Sequence, residues 1–299
     1  MRKFINPYLI LILLQLVGCS QETNHSTEQR VFIIVIDGVR YSESFGSGGK
    51  YIPHLYNDLA PLGAVYTNFR IADEGITSTN PGQASILTGN WQVIANDGTE
   101  HPDKPTLFEY YRKELSAKES DCIVVAGKKK LDALSYSTFP DYGKDYKALT
   151  MCFDLNSNDD VFDSLIVAVD TYHPKLVLVN FPKTDKEAHA NKWNEYIAAL
   201  KNADSLIYSL YNKIQSDPFY KNKTTLLITN DHGRHTNDFT NHGDNCDGCE
   251  HIMLLAIGKN IEAKKVDGDL HYQIDICKTV GDIMKFQTPF AQGKSLVRE

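Results

Sequence analysis

Five short runs of apolar, mostly β-branched or leucine-rich residues recur along the chain. They are Val31–Ile36, "CIVVAG" at Cys122–Gly127, "KLVLVN" at Lys175–Asn180, "TTLLIT" at Thr224–Thr229 and "IMLLAIG" at Ile252–Gly258. A strand with one wet face alternates apolar and polar positions, whereas a strand covered on both faces does not, so these runs predict buried strands. Between them the apolar spacing changes to three and four. Leu107, Phe108, Tyr111 and Leu115 share one helical face after Pro105, which suits a helix start. Val161, Phe162, Leu165, Ile166 and Val169 make a second stripe. The longest runs from Trp193 through Tyr196, Ile197, Leu200, Ile207, Leu210 and Tyr211 to Ile214, and Ile276, Val280, Ile283 and Met284 mark the last. Alternating strands and helices predict an α/β fold: a mostly parallel sheet with helices on both faces. Residues 128–158 fit neither period. Rich in Lys, Asp, Tyr and Ser, they read as a cap or substrate loop, since function concentrates on loops.

The first residues have another pattern. Arg2 and Lys3 precede an apolar stretch, Tyr8 to Val17, broken only by Gln15. That is short for a membrane span and reads as the core of an export signal. It ends in "LVGC", Leu16–Cys19, which resembles the bacterial lipoprotein signal box. The resemblance implies removal of residues 1–18 and lipidation of Cys19. Ser20 in place of an inner-membrane retention aspartate points to the outer membrane. The polar stretch to residue 29 reads as a flexible tether, and residues 30–299 as one catalytic domain. An ordinary secretory signal or membrane anchor is the alternative, and in each case the domain faces outward.

Charge then narrows the partners. Losing Arg2 and Lys3 takes the formal net charge from −7 to −9, which leaves no basic footprint for nucleic acid. With Cys19 assigned to lipid, five of the six cysteines remain, so at least one stays unpaired if all disulfides are internal. Cys246 and Cys249 form a C-x-x-C in a loop rich in Gly and Asp. In an oxidising compartment that reads as a local disulfide, with metal binding as the alternative. Cys277 falls on the apolar face of the last helix and reads as an inert buried thiol.

The chemistry sits at the ends of the apolar runs. Asp37 closes "VFIIVID", Asp185 lies just past "KLVLVNF" with His189 four residues on, and Asp231 and His232 close "TTLLITNDH". In a parallel sheet such positions converge at the carboxyl ends of the strands, where ligands bind. His242 follows in the same polar loop as His235 and His251. Carboxylates and imidazoles brought together need a cation, and their mixed N/O donors suit zinc or another borderline divalent ion. With a hydroxyl at Thr79, in a segment punctuated by Gly and Pro, the set implies covalent transfer of a phosphoryl-type group.

The pieces "VIDGVR", "TNPGQASILTG", "DKEAH", "TNDHG" and "NHGDN" occur in an order that resembles the alkaline phosphatase superfamily, within it the phosphodiesterase/nucleotide pyrophosphatase and sulfatase-like branches. The resemblance implies that Thr79 is the nucleophile, with Ser78 its nearest competitor. It implies two divalent ions, most simply zinc. One is held by Asp185, His189 and His242, with His251 the rival for His242. The other is held by Asp37, Asp231, His232 and Thr79. "GKKK" is similar to a sulfatase turn and offers Lys128 to a substrate oxygen; a solvated charge run is the bland alternative. Asn96 is a further candidate donor to substrate. Thr79 and Gln83 stand where sulfatases carry a formylglycine precursor and an arginine, and Asp37-Gly38 where they carry paired aspartates, which argues against sulfate esters. The implied activity is hydrolysis of phosphate esters, diesters favoured. A sulfatase-like or phosphonate monoester hydrolase is one alternative, and a surface binding lipoprotein that has lost activity is another.

Overall fold

All five apolar runs become strands of one nine-stranded sheet. The computed structural model describes Met1 and residues 29–297; the signal, Cys19 and nearly all of the tether lie outside the described residues. The strands are β1 (Arg30–Ile36), β2 (Ala64–Arg70), β3 (Cys122–Ala126), β4 (Leu149–Cys152), β5 (Leu176–Phe181), β6 (Thr224–Thr229), β7 (His251–Ile257), β8 (Lys265–Asp267) and β9 (His271–Tyr272). The helices are α1 (Thr79–Thr88), α2 (Leu107–Leu115), α3 (Asn158–Tyr172), α4 (Lys183–His189), α5 (Trp193–Ser216), α6 (Asp247–Glu250) and α7 (Asp275–Met284). Among the described residues no helix is long and apolar enough to cross a membrane.

The strand order is β4-β3-β5-β1-β6-β7-β2-β8, with β9 beside β2. From β4 to β6 every neighbour is parallel; β7 runs antiparallel to both β6 and β2. Two apolar layers explain why the central strands lack alternation. Val31, Ile33 and Val35 of β1 pack on one face with Ile86 of α1, Phe108 of α2 and Val280 of α7. Phe32, Ile34 and Ile36 pack on the other with Leu165 of α3 and Leu200 and Ile207 of α5. Each such side chain contributes about 1.5–3 kcal/mol by leaving water. Thr106 caps α2 and exchanges hydrogen bonds with Glu109, so the helix begins at Leu107, two residues after Pro105.

Residues 128–158 split between layer and loop. A 3₁₀ segment, Lys129–Ser135, buries Leu131 and Leu134 in the core, and β4 extends the sheet beyond β3. Lys128 and Lys130, with Asp97, His101 and Tyr136, line a cleft of about 670 Å³ at the start of this stretch.

Candidate active site

Four adjacent parallel strands, β3, β5, β1 and β6, end on one edge, and each sends a charged residue there. Lys128 lies two residues past β3, Asp185 lies on α4 after β5, Asp37 directly follows β1, and Asp231 and His232 follow β6. Thr79 is the first residue of α1, preceded by Ser78 in extended backbone. Close packing sets its position. At Gly82, one turn into α1, an added Cβ would lie 2.4 Å from the carbonyl oxygen of Asp231.

The side chains converge. The Lys128 ammonium is 2.9 Å from Asp37 Oδ1, 2.6 Å from Asp185 Oδ2 and 3.1 Å from Thr79 Oγ1. His189 Nε2 lies 3.2 Å from Asp185 Oδ1 and 3.1 Å from His242 Nε2. The His242 ring stacks on His232 at 4.0 Å, and its Nδ1 is 2.8 Å from the Thr77 carbonyl. Thus Asp37, Thr79, Asp185, His189, Asp231, His232 and His242 meet at one place. His251 does not join them: its Nε2 faces the Thr67 carbonyl at 2.9 Å and its ring stacks on Tyr41. Asn96 Oδ1 accepts from Asn80 N and Lys130 Nζ, so it caps the first turn of α1. Lys128 is buried among carboxylates rather than lying in a solvated charge run.

Partners that the motifs did not reveal orient these groups. Asn180 donates to Asp37 Oδ2 at 2.8 Å, Gln83 to Asp231 Oδ2 at 3.0 Å, and Gly38 N to Asp231 Oδ1 at 3.1 Å. Arg234, fully buried, donates to Asp185 Oδ1 at 2.5 Å and to its carbonyl at 3.2 Å. A signal existed for Asn180, the one amide in a buried apolar run, because buried polar groups need partners. Arg234 gave none, since an arginine in a polar loop is usually solvated.

Burial and mutual repulsion set the electrostatics. Burial first, then the neighbouring Asp231 charge, pushes the Asp37 carboxyl up to about 6. Burial also raises Asp231. Burial works the same way on Asp185, but Lys128, His189, His232 and Arg234 outweigh it and hold that carboxyl well below the usual range. Burial pulls on the Lys128 ammonium, yet Asp37, Asp185 and Asp231 keep it firmly charged. Burial lowers His232 to about 4 and His242 to about 3, so both imidazoles are neutral near pH 7, the form that ligates metals.

The donor set fits divalent ions. Asp37, Asp231 and His232 place ligand atoms within 4.8 Å of one another, and so do Asp185, His232 and His242. His232 Nε2 is buried without a hydrogen-bond partner among the described residues, 3.7 Å from Asp37 Oδ1 and 3.9 Å from Asp231 Oδ1. A buried nitrogen aimed at two carboxylates is the arrangement a cation satisfies.

With this geometry established, comparison with solved structures is decisive for the architecture. Wild-type alkaline phosphatase PafA superposes with a TM-score of 0.69 at 11% identity, covering 90% of this chain and 98% of that one. The fold is the alkaline phosphatase fold. The phosphonate monoester hydrolase of Silicibacter pomeroyi superposes with a TM-score of 0.64 at 14% identity, covering 90% and 76% of the two chains. The family model described as the metalloenzyme superfamily matches residues 147–271, the stretch that contains Asp185, His189, Asp231, His232 and His242. The chain is 24% identical over 246 residues to the 2,3-bisphosphoglycerate-independent phosphoglycerate mutase of Malacoplasma penetrans (strain HF-2). That match covers 77% of this chain and 42% of the mutase, so the chain spans under half of that relative's length.

One expectation is corrected. Cys246 and Cys249 are free thiols rather than a local disulfide, as are Cys122, Cys152 and Cys277. Cys246 occupies the N-cap of α6, and its backbone N donates to Asp244 Oδ1 at 3.1 Å. Cys277 is buried on α7.

Proposed function

We propose that this chain is a metal-dependent hydrolase of phosphate esters, with phosphodiesters preferred, working through a phospho-threonine at Thr79. The observation that carries the reading is the Thr79 hydroxyl at the start of α1, 3.1 Å from the Lys128 ammonium and beside two carboxylate–imidazole groups. Asp185, His189 and His242 would hold one divalent ion, and Asp37, Asp231, His232 and Thr79 the other. Zinc suits these donors, and the pair would supply Lewis acidity for an in-line displacement. The rest is the chain's own work. Lys128 stabilises negative charge developing on Thr79 Oγ1 or on a phosphoryl oxygen. Asn180 and Gln83 fix the Asp37 and Asp231 carboxylates, so the geometry needs little rearrangement. The 670 Å³ cleft beside Lys128 is of a size to take the substrate's leaving group.

The diester preference rests on charge. Arg234, which with Lys128 pairs with Asp185, is committed to that carboxylate and offers no fork to a dianionic monoester. Gln83 is likewise engaged with Asp231. Threonine cannot become the aldehyde hydrate that a sulfatase needs, and this favours phosphate over sulfate. The same reading has the protein exported and tied to the outer membrane through lipid at Cys19. The test is a comparison of turnover on a chromogenic phosphodiester, phosphomonoester, phosphonate monoester and sulfate ester by the zinc-loaded chain. The diester should be cleaved fastest. Faster cleavage of the aryl sulfate than of both phosphates would overturn the reading, and no turnover on any ester despite bound metal would favour a binding lipoprotein.

A further inference from the structure

A second cluster of metal-type donors lies in the loop that carries His242, and the proposed reaction does not use it. His235, Asp244 and Cys249 place a ring nitrogen, a carboxylate oxygen and a sulfur within 4.8 Å of one another. His235 Nε2 is 3.3 Å from Asp244 Oδ2. Cys246 stands three residues before Cys249, at the N-cap of the same turn. The four side chains share no residue with the groups formed by Asp37, Asp185, Asp231, His232 and His242.

Backbone hydrogen bonds bring the four together. Cys249 N bonds to Cys246 O at 2.9 Å, closing the C-x-x-C into one turn. Cys246 N bonds to Asp244 Oδ1 at 3.1 Å, and Gly248 N to Thr236 Oγ1 at 3.0 Å, which docks the turn against the strand-end segment holding His235. Two sulfurs at C-x₂-C spacing with one imidazole and one carboxylate supply four donors of types that zinc accepts. Cys249 is fully buried, while His235 and Asp244 are open enough to leave an entry path. A disulfide would withdraw the Cys249 sulfur from the donor group it forms with His235 and Asp244.

We propose that His235, Asp244, Cys246 and Cys249 bind one zinc-class ion, separate from the ions of the active site, and that this ion fastens the loop presenting His242. The link to His242 is short. Thr77 Oγ1 donates to the Asp244 carbonyl at 2.9 Å, and the Thr77 carbonyl faces His242 Nδ1 at 2.8 Å. An ion on the Asp244 side chain therefore anchors the segment two residues beyond His242. Binding in such a site releases the thiol protons and orders the loop at the same time.

Cobalt(II) titration of the reduced full chain tests this, because thiolate ligation gives a near-ultraviolet charge-transfer band that N/O ligation lacks. The band should appear in the wild type and in Asp231→Asn, be displaced by zinc, and be lost in Cys246→Ser/Cys249→Ser. Elemental analysis should then find one metal equivalent fewer in the double variant than in the wild type, and His235→Ala should weaken cobalt binding at the thiolate site. The wild-type spectrum needs no variant to fold. A reduced wild-type chain without the band, an unchanged metal count in a folded double variant, or a Cys246–Cys249 disulfide in protein isolated without reductant would each overturn the proposal.

Discussion

Gly38 follows Asp37 with φ +61°, and an added Cβ would lie 2.8 Å from Asp185 Oδ1 and 3.1 Å from His232 Cε1. Two constraints coincide there: a left-handed backbone that disfavours side chains, and a ligand cluster that leaves no room for one. Gly38→Ala should therefore cost about 1–3 kcal/mol in a denaturant melt, and metal content should fall with it because Asp185 must move. A variant that keeps full zinc content and turnover would show that the backbone at 38 adjusts freely. Asp37 sets the pH response of the same cluster. Its carboxyl is raised to about 6, so in the metal-free chain it takes up a proton as pH falls through 6, and that proton competes with the ion. His232 and His242 are lowered to about 4 and 3 and compete only in stronger acid. Zinc affinity should hold down to pH of about 6 and then drop by at least about tenfold per unit. A competition titration against a chelator of known pH dependence would show the break, and affinity unchanged from pH 7 to 5 would refute the assignment. The stability signs differ. Asp37, raised above its unfolded value, contributes stability below the ordinary aspartate range that is lost as pH rises through about 6. The two histidines, depressed, contribute above the ordinary histidine range and lose it as pH falls through about 4 and 3.

At the scale of elements, α1 ties Thr79, the proposed nucleophile, to the sheet. Gly82 packs against the Asp231 carbonyl at a spacing that admits no methyl group, so Gly82→Ala should push the start of α1 away from β6. Overpacking of this kind costs about 1–3 kcal/mol, but a shift of about 1 Å at Thr79 should lower kcat by about a hundredfold. Steady-state kinetics beside a thermal melt separates the two effects, and a loss of stability without loss of kcat would remove α1 from the positioning argument. The same helix shows where the sequence falls silent. All ten residues of "TNPGQASILT" are buried, so α1 has no wet face and no amphipathic stripe to read. Thr79, the proposed nucleophile, stood out only through motif resemblance. β2 and β4 were equally hidden. β2 carries half-wet Thr67, Asn68 and Arg70 and a register shift between Tyr66 and Phe69, and β4 is a four-residue, half-buried edge strand. β1, β3, β5, β6 and β7 were legible because both faces are covered, and α3, α5 and α7 because one face is.

Across the whole molecule, residues from 37 to 242 meet because strands distant in sequence are neighbours in the sheet, and this has a thermodynamic consequence. Three buried carboxylates face one another with Lys128 and Arg234 as the cations beside them, and Asp37 and Asp231 are raised by that burial. An ion that binds the folded chain and not the unfolded one stabilises it by about 2.7 kcal/mol at a hundredfold excess over Kd. For a domain of this size that is a rise in Tm of about 5–10 °C. Chelation should reverse the rise, and zinc should restore it together with activity. Thr79→Ala then separates chemistry from structure. The carboxylates and imidazoles remain, so the zinc-dependent rise in Tm should survive while turnover falls by several orders of magnitude. If Thr79→Ala turns over at nearly the wild-type rate while Ser78→Ala is inactive, the nucleophile is Ser78, one residue earlier on the same turn. If neither variant loses activity although chelation abolishes it, the covalent step is wrong and the reaction passes directly to water.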